Sequence, residues 1–201
     1  MGKILVIATF NPHKLGELRA LLPGLSAELR ALSAFPGAEP AVEDGETLEA
    51  NALKKALAAA RFTGLPALAD DTGLEVDALA GEPGVRSARY AGEKAAYSDN
   101  NAKLLAALAG VPPAGRAARF ACVTALALPS GEVSVSRGVL EGSITAAARG
   151  GNGFGYDPLF EVKGGPRTLA QFSEDEKNAV SHRAAALKGL LPALLRLFPA
   201  G

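Results

Sequence analysis

The feature that most constrains the fold is an uninterrupted aliphatic run that leads, through a very short turn, into a capped helix. The run "KILVIA" at 3–8 shows no polar alternation, which predicts a strand buried on both faces. "NPHKLGELRALL" follows at 11–22, where Asn11 predicts a helix cap and Pro12 occupies the first helical position. The polar residues directly after the run favour a first strand over a signal peptide. A buried strand followed at once by a helix is typical of folds in which helices cover a sheet.

Helical and strand-type segments continue to alternate along the chain. Thr47 predicts the cap of a helix that ends at Gly64, and a further helix is predicted at 99–108. Two strands are predicted between these helices, at "LPALAD" (65–70) and "GLEVDAL" (73–79). No internal repeat or linker interrupts the chain, so we expect one folded unit.

The second half of the chain predicts a long hairpin and a C-terminal helix. "RAARFACVTALALP" (116–129) and "GEVSVSRGVLEGSI" (131–144) predict two strands that pair across the turn between them. "SHRAAALKGLLPALLRLF" at 181–198 predicts a helix, although Gly189 and Pro192 are unfavourable inside it. Interleaved helices and strands with an inserted hairpin predict an α/β or α+β fold with a mixed sheet.

Charge and cysteine content exclude several functional classes. The 201 residues carry 21 basic and 21 acidic side chains, so no net positive charge favours binding to long nucleic acid or an anionic membrane. No run reaches the ~18 apolar residues of a membrane span. The one cysteine, Cys122, excludes an internal disulfide and a cysteine zinc cluster, and favours a reducing cytoplasm. Within "ARFACVTALAL" it is expected to be a buried hydrophobic residue rather than a nucleophile.

The turn "TFNPHK" at 9–14 is a candidate anion site. A strand that ends in a polar turn and opens a helix directs backbone N–H groups and the positive end of the helix dipole at one point. Lys14 adds a full charge one turn into the helix. The alternative is an ordinary asparagine cap beside a surface lysine, and no Walker-type phosphate loop occurs in the chain.

Two adjacent carboxylates, Asp70 and Asp71, form the second candidate. Successive strand residues point to opposite faces, so we expect one carboxylate to face the interior and the other a cleft. Neighbouring carboxylates are costly without a cation, and oxygen ligands suit Mg²⁺. Glu43 and Asp44 in "AVEDGET" offer further acids. The alternative interpretation is a set of solvated loop acids.

Two later segments could line a ligand site. The glycines of "GGNGFGYDP" (150–158) allow a ligand to approach the backbone, and Phe154 and Tyr156 offer flat faces for a base. "EKNAVSHR" (176–183) brings hydrogen-bond donors to the start of the last helix. An ordinary loop and a structural histidine are the alternatives, and the lysines elsewhere are expected on solvated faces, namely Lys54, Lys55 and Lys103.

Five segments taken in order resemble the inosine triphosphate pyrophosphatase family, whose members hydrolyse non-standard purine nucleoside triphosphates. They are "ATFNPHKLGEL", "EDGETLEANALKKA", "LADDTGLEVDALAGEPGVRSARYAG", "GFGYDPLF" and "EKNAVSHRAAA", and they extend from near residue 8 to near residue 186. The resemblance implies a single elongated two-lobed domain, residues 1–201, around a long mixed β-sheet flanked by helices, with an active-site cleft between the lobes. It also implies a homodimer, a small-molecule purine nucleotide as substrate, and neither nucleic acid nor membrane as partner.

The resemblance also assigns roles to individual residues. It implies Mg²⁺, with Mn²⁺ as the alternative ion, held by Glu43 and Asp71, and it makes Asp71 the proton acceptor. Thr72 stands where the family usually has serine, which keeps the hydroxyl. The remaining substrate-binding residues fall in the phosphate turn (Thr9, Phe10, Asn11, Pro12, His13 and Lys14), in the nucleoside loop (Phe154, Gly155, Tyr156 and Asp157) and in the base-recognition set (Lys177, His182 and Arg183).

Some positions depart from the family pattern, and other functions stay open. Phe10 replaces a small residue, Ala50 stands where many members have glutamate, and no proline precedes Arg149. Glu49 could supply the missing acid from one residue earlier. A purine with an oxygen at position 6 accepts a hydrogen bond from Arg183 or His182, whereas the amino group of adenine does not. A pyrophosphatase with another base preference and a non-catalytic nucleotide-binding regulator are the alternatives, and an RNA-binding role is a distant third.

Overall fold

The computed structural model describes residues 3–199, which form seven strands and five helices. The strands are β1 (Ile4–Ile7), β2 (Glu28–Ala31), β3 (Ala67–Val76), β4 (Pro83–Gly84), β5 (Ala117–Ala127), β6 (Val133–Ile144) and β7 (Phe160–Val162). The helices are α1 (Pro12–Leu21), α2 (Leu48–Thr63), α3 (Tyr97–Ala107), α4 (Glu174–Val180) and α5 (His182–Leu197). None of the helices within residues 3–199 is both long and apolar enough to cross a bilayer.

One mixed sheet contains all seven strands. Its order is β2-β1-β3-β5-β6-β7, and β4 pairs with β3 beside this path. β1 is parallel to both β2 and β3, whereas β4 is antiparallel to β3 and β7 is antiparallel to β6. The predicted α/β fold with a mixed sheet flanked by helices is therefore confirmed.

The described residues group into two compact units, each with its own core. The first unit comprises the residues up to Asp71, Cys122–Gly138 and the residues from Arg183 onward. Its core contains aliphatic side chains from β1, α1, β3 and α5, among them Leu5, Leu18, Leu68 and Leu190. The second unit comprises Thr72–Ala121 and Val139–His182. Its core contains side chains from β3, α3, β5 and β7, among them Leu74, Leu104, Phe120 and Phe160.

The predicted helix ends that depend on local chemistry are confirmed. Asn11 caps α1 by accepting hydrogen bonds from the backbone N–H groups of His13 and Lys14. Thr47 caps α2 by accepting from Ala50 N, and Gly64 ends that helix in the left-handed conformation at φ 67°. A non-glycine residue is strained in this conformation, which is why glycine is favoured at the end of a helix.

One prediction about element boundaries was wrong. The strands predicted at 65–70 and 73–79 are one continuous strand, β3, so Asp70 and Asp71 lie within a strand and not at its end. Their carboxylates are tolerated there because both accept hydrogen bonds or ion pairs. The helix predicted at 181–198 is confirmed, because α5 continues through Gly189 and Pro192, and Ser181 separates it from α4. A Cβ at Gly189 would lie 2.0 Å from Ser136 Oγ, so close packing requires the glycine inside this helix.

Candidate active site

The turn after β1 presents a capped helix end and one lysine. Asn11 N donates to Thr9 Oγ1 at 3.1 Å, which fixes the turn, and the Asn11 side chain receives the first N–H groups of α1. The Lys14 ammonium lies 3.1 Å from Asp70 Oδ2. Pro12 and His13 are exposed, and Phe10 is 41% exposed. The turn therefore offers the positive end of a helix and a cation that already pairs with a carboxylate.

Asp70 is the centre of a buried ion network in the first unit. Its Oδ2 receives Arg183 Nη2 at 3.0 Å and Arg183 Nε at 3.3 Å, in addition to Lys14. The other terminal nitrogen of Arg183 pairs with Glu17. Burial by itself would raise the pKa of the Asp70 carboxyl, but Lys14 and Arg183 hold this pKa well below its usual range. Asp70 therefore stays charged at any ordinary pH.

Asp71 lies in a different environment although it is the next residue. Its Oδ1 is 2.7 Å from the Lys55 ammonium, and its Oδ2 receives Asn51 Nδ2 at 3.3 Å. Lys55 is also 2.7 Å from Glu43 Oε1. Successive strand residues point to opposite faces, which is why the two aspartates contact different partners. The expectation that one carboxylate faces the interior was incomplete, because Asp70 and Asp71 are both buried, at 2% and 5% exposure.

The prediction made for Lys55 from the sequence was wrong. We expected this lysine on a solvated face, but its side chain is only 11% exposed and bridges Glu43 and Asp71. Burial lowers the pKa of the Lys55 ammonium, and the negative charges of Asp71, Asp70 and Glu43 outweigh burial and raise it. An internal cation therefore lies between the two acids that the resemblance assigns to a metal.

The chemistry of Glu43 and Asp71 fits a divalent cation of the type that the family implies. Both offer carboxylate oxygens, and the two side chains already converge on one positive charge, the Lys55 ammonium. Within residues 3–199 no group of three or more histidine, cysteine, aspartate or glutamate side chains is arranged to hold a metal ion. Mg²⁺ is commonly bound by one or two carboxylates together with substrate phosphates, so two acids suffice for such a site.

The glycine-rich loop in the second unit is organised by Asp157. Asp157 Oδ2 receives the Phe154 backbone N–H at 2.9 Å and the Lys177 ammonium at 2.6 Å. The same ammonium lies 4.9 Å from the centre of the Phe154 ring. A Cβ at Gly153 would lie 2.1 Å from Asp157 Oδ2, so this tight loop requires glycine. An aromatic ring, a donor and an acceptor are thereby held together in this loop.

Two residues of this unit are more buried than their predicted roles require. We expected Tyr156 to offer a flat face to a base, but it is 5% exposed, lies in the core and donates its hydroxyl to Ser87 O at 2.9 Å. That expectation was wrong, because core packing covers the ring. His182 is buried and stacks on Phe120, with 4.8 Å between ring centres. Thr72 is half-buried in β3.

Arg183 belongs to the first unit, whereas His182, the preceding residue, belongs to the second. It is 1% exposed, and its guanidinium is engaged by Asp70 and Glu17. To contact a base, Arg183 would have to exchange these carboxylates for the base. The structure thus brings the Arg183 guanidinium together with Asp70 in the first unit, whereas Lys177 and Asp157 belong to the second unit.

Sequence analysis missed Asn51 and Lys55 as parts of the site. Both lie on α2, one turn apart, in the segment "EANALKKA" that carries the family resemblance. Residues four apart share a helix face, so this spacing was the available signal. Glu49, the suggested replacement for an acid at Ala50, is exposed at the first turn of α2. The structure places Lys55, rather than Glu49, next to Glu43 and Asp71.

Known proteins match this chain over nearly its whole length. A sequence model described as the Ham1 family matches residues 5–193. The dITP/XTP pyrophosphatase of Desulforamulus reducens is 50% identical over 194 residues, which cover 96% of this chain and 96% of that protein. The dITP/XTP pyrophosphatase of Geobacter sulfurreducens is 54% identical over 183 residues, which cover 91% of this chain and 92% of that protein.

Solved structures match as well. The HAM1 protein from Coxiella burnetii superposes with a TM-score of 0.86 at 42% identity, covering 96% of this chain and 99% of its own. The Staphylococcus aureus Ham1 protein superposes with a TM-score of 0.85 at 40% identity, covering 96% of this chain and 98% of its own. The resemblance inferred from the five segments is confirmed, and this chain belongs to the Ham1 family.

Proposed function

We propose that this protein hydrolyses non-standard purine nucleoside triphosphates, namely ITP, dITP and XTP, to the monophosphate and pyrophosphate. Relatives about half identical to it over nearly their full length are named dITP/XTP pyrophosphatases. The observation that carries the proposal is the convergence of Glu43 and Asp71 on one cation, with Lys14 paired to the adjacent Asp70. The first unit thus contains both the acids for a metal and the positive charges for a phosphate chain.

The residues of the first unit are suited to the phosphate chemistry. Lys14 and Lys55 are cations that can turn from their carboxylate partners to phosphate oxygens. Asp71 is the proposed proton acceptor for the water that attacks the α-phosphorus, since a positioned carboxylate can take up that proton. Mg²⁺, or Mn²⁺ in its place, would supply neutralisation of the phosphate charge when bound by Glu43 and Asp71.

The residues of the second unit are suited to an oxo-purine. Hypoxanthine and xanthine present an accepting oxygen at position 6 and a donating N–H at position 1. Lys177 has only donors and the Asp157 carboxylate only acceptors, so this pair matches that edge. Adenine presents the opposite pattern, a donor at position 6 and an acceptor at position 1. We propose that Lys177 and Asp157, with His182, recognise the base, and that Arg183 takes part only by leaving Asp70.

A nucleotide panel tests the proposed function. With Mg²⁺, the protein is expected to convert ITP, dITP and XTP to monophosphate and pyrophosphate, and to disfavour ATP by about 10⁴ in kcat/KM, because an unmatched edge leaves buried polar groups unpaired. GTP shares the matched edge and is expected to be disfavoured less strongly than ATP. Product analysis with and without Mg²⁺ or Mn²⁺ measures this. Release of inorganic phosphate instead of pyrophosphate, or binding without turnover, would refute the proposal.

Replacing Phe154 by alanine is expected to raise KM for ITP about tenfold, because stacking of a base on an aromatic ring contributes about 1–3 kcal/mol. The ring is held over the loop by the Asp157 bond to its backbone and by Lys177. Phe62→Ala is the matched control, since Phe62 is 53% exposed at the end of α2. Steady-state kinetics with both variants provide the measurement, and an unchanged KM in Phe154→Ala would remove the ring from base binding.

We also propose that the protein forms a homodimer and is located in the cytoplasm. The sequence has one cysteine, the buried Cys122, so no internal disulfide can form, and this supports a reducing compartment. The dimer follows from the family resemblance. Sedimentation of the purified protein tests the dimer, and a monomer at working concentration would reject it.

A further inference from the structure

We propose that Asn51 is a positioning residue that holds the loop of Glu43 and the carboxylate of Asp71 at a fixed spacing, so that both can bind one divalent ion. This inference rests on the proposed function, in which Glu43 and Asp71 are the metal ligands. Asn51 itself is not assigned a contact with metal or substrate.

Asn51 connects two segments that are far apart in sequence. Its Oδ1 accepts a hydrogen bond from Gly45 N at 2.8 Å, and its Nδ2 donates to Gly45 O at 3.4 Å. The same Nδ2 donates to Asp71 Oδ2 at 3.3 Å. Asn51 is 1% exposed, so these bonds are shielded from water and their loss is not readily compensated. One amide group thereby links the backbone two residues after Glu43 to the side chain of Asp71.

Asn51 and Lys55 lie on one face of α2 and contact different atoms of the same two segments. Lys55 contacts Asp71 Oδ1, whereas Asn51 contacts Asp71 Oδ2. On the loop side, Lys55 pairs with the Glu43 carboxylate and Asn51 pairs with the Gly45 backbone. The two residues differ in one respect that matters for function. An incoming divalent ion competes with the Lys55 ammonium for the two acids, but the neutral amide of Asn51 does not compete for charge and can stay in place when the ion binds.

Gly45 shows that the fit around this amide is tight. A Cβ at position 45 would lie 2.6 Å from Asn51 Oδ1 and 3.0 Å from the Ala50 Cβ. A side chain at this position therefore pushes the amide away from the loop without removing any functional group. Two independent variants follow from this geometry: Asn51→Ala removes the amide, and Gly45→Ala displaces it.

Asn100→Ala is the matched control. Asn100 is 2% exposed and also binds loop backbone through both ends of its amide, since Oδ1 accepts from Ala91 N and Nδ2 donates to Ala88 O. It lies on α3 in the second unit, and within residues 3–199 its amide has no hydrogen bond to a carboxylate. Asn100→Ala is expected to lower stability about as much as Asn51→Ala does, while Mn²⁺ binding stays unchanged.

The experiment measures Mn²⁺ binding by electron paramagnetic resonance and hydrogen exchange of the Gly45 amide, both on the full chain without nucleotide. Asn51→Ala and Gly45→Ala are each expected to weaken Mn²⁺ affinity about 10–100-fold, the effect typical of residues that orient metal ligands. In both variants the Gly45 amide should also exchange faster than in the wild-type protein, because its hydrogen bond to Asn51 is lost or weakened. Asn100→Ala should match the wild type in both measurements.

The outcomes separate the inference from the proposed function. Unchanged Mn²⁺ affinity in both variants, with wild-type binding intact, would overturn the role of Asn51 alone. If Asn51→Ala does not fold, Gly45→Ala decides the question by itself. If the wild-type protein binds no Mn²⁺, the proposed metal site fails and the inference fails with it.

Discussion

Replacing Asp71 by asparagine is expected to lower kcat for ITP by about 10²–10⁴-fold, the range for loss of a positioned general acid or base. Asparagine has nearly the same size, but its amide cannot take up a proton from water and is a weaker ligand for a cation. Lys55 keeps its pair with Glu43 in this variant, so the α2 face stays bound to the loop. The loss should therefore appear in turnover much more than in folding.

The Mg²⁺ dependence separates the two roles of Asp71. If Asp71 served only to hold the ion, a high concentration of Mg²⁺ would restore kcat in Asp71→Asn. If it is also the proton acceptor, kcat stays low at saturating Mg²⁺, and this is the expected result. Asp44→Asn is the control, because Asp44 lies beside Glu43 but pairs with the exposed Lys54 at 2.5 Å. An Asp71→Asn protein with most of its turnover would defeat the catalytic assignment.

The parts of the fold that follow from local chemistry could be predicted from the sequence. Asn11 and Thr47 cap their helices through hydrogen bonds to residues two or three positions later, and the glycine at 64 ends α2 by its own backbone conformation. Such features depend on neighbours in the chain, so they are visible in the order of residues. The sheet order and the pairing of β1 with both β2 and β3 depend on contacts between distant segments.

The candidate site shows the same division. The acids could be identified from the sequence by their residue types and motifs. The residues that pair with each acid, and so determine its role, could not. Asp70 and Asp71 are adjacent and chemically identical, yet one is neutralised by Lys14 and Arg183 and the other by Lys55. Lys55 was expected on a solvated face because lysine side chains are mostly exposed in proteins. The Lys55 ammonium is buried because Asp71 of β3, which is distant in sequence, pairs with it.

Replacing Asp70 by asparagine is expected to lower the free energy of unfolding at pH 7 by about 3–5 kcal/mol, the cost of breaking a buried ion pair by removing one partner. Arg183 is 1% exposed, and its guanidinium would lose the pair with Asp70 while it keeps the pair with Glu17. Lys14 would lose its carboxylate as well. Asparagine has the shape of aspartate, so packing around residue 70 stays nearly the same and the change in stability reports charge.

The pH dependence of this effect has a definite sign. The pKa of Asp70 is lower in the folded protein than its ordinary value of about 3.9 in the unfolded chain. A depressed folded pKa contributes stability that is fully present above the unfolded value and is lost as pH falls through the folded value. The difference between wild type and Asp70→Asn should therefore be constant from neutral pH to about pH 5 and should shrink below about pH 4.

Denaturant unfolding of wild type and Asp70→Asn across this pH range measures the difference, and Asp44→Asn serves as the control. Because Asp44 is exposed, its variant should change stability much less, and the change should respond to salt. The Asp70 effect should persist in high salt, since solvent ions do not reach a carboxylate that is 2% exposed. A wild-type-like Asp70→Asn protein at pH 7 would mean that the ion pairs only balance their own desolvation, and Asp70 would then have no structural reason to be charged.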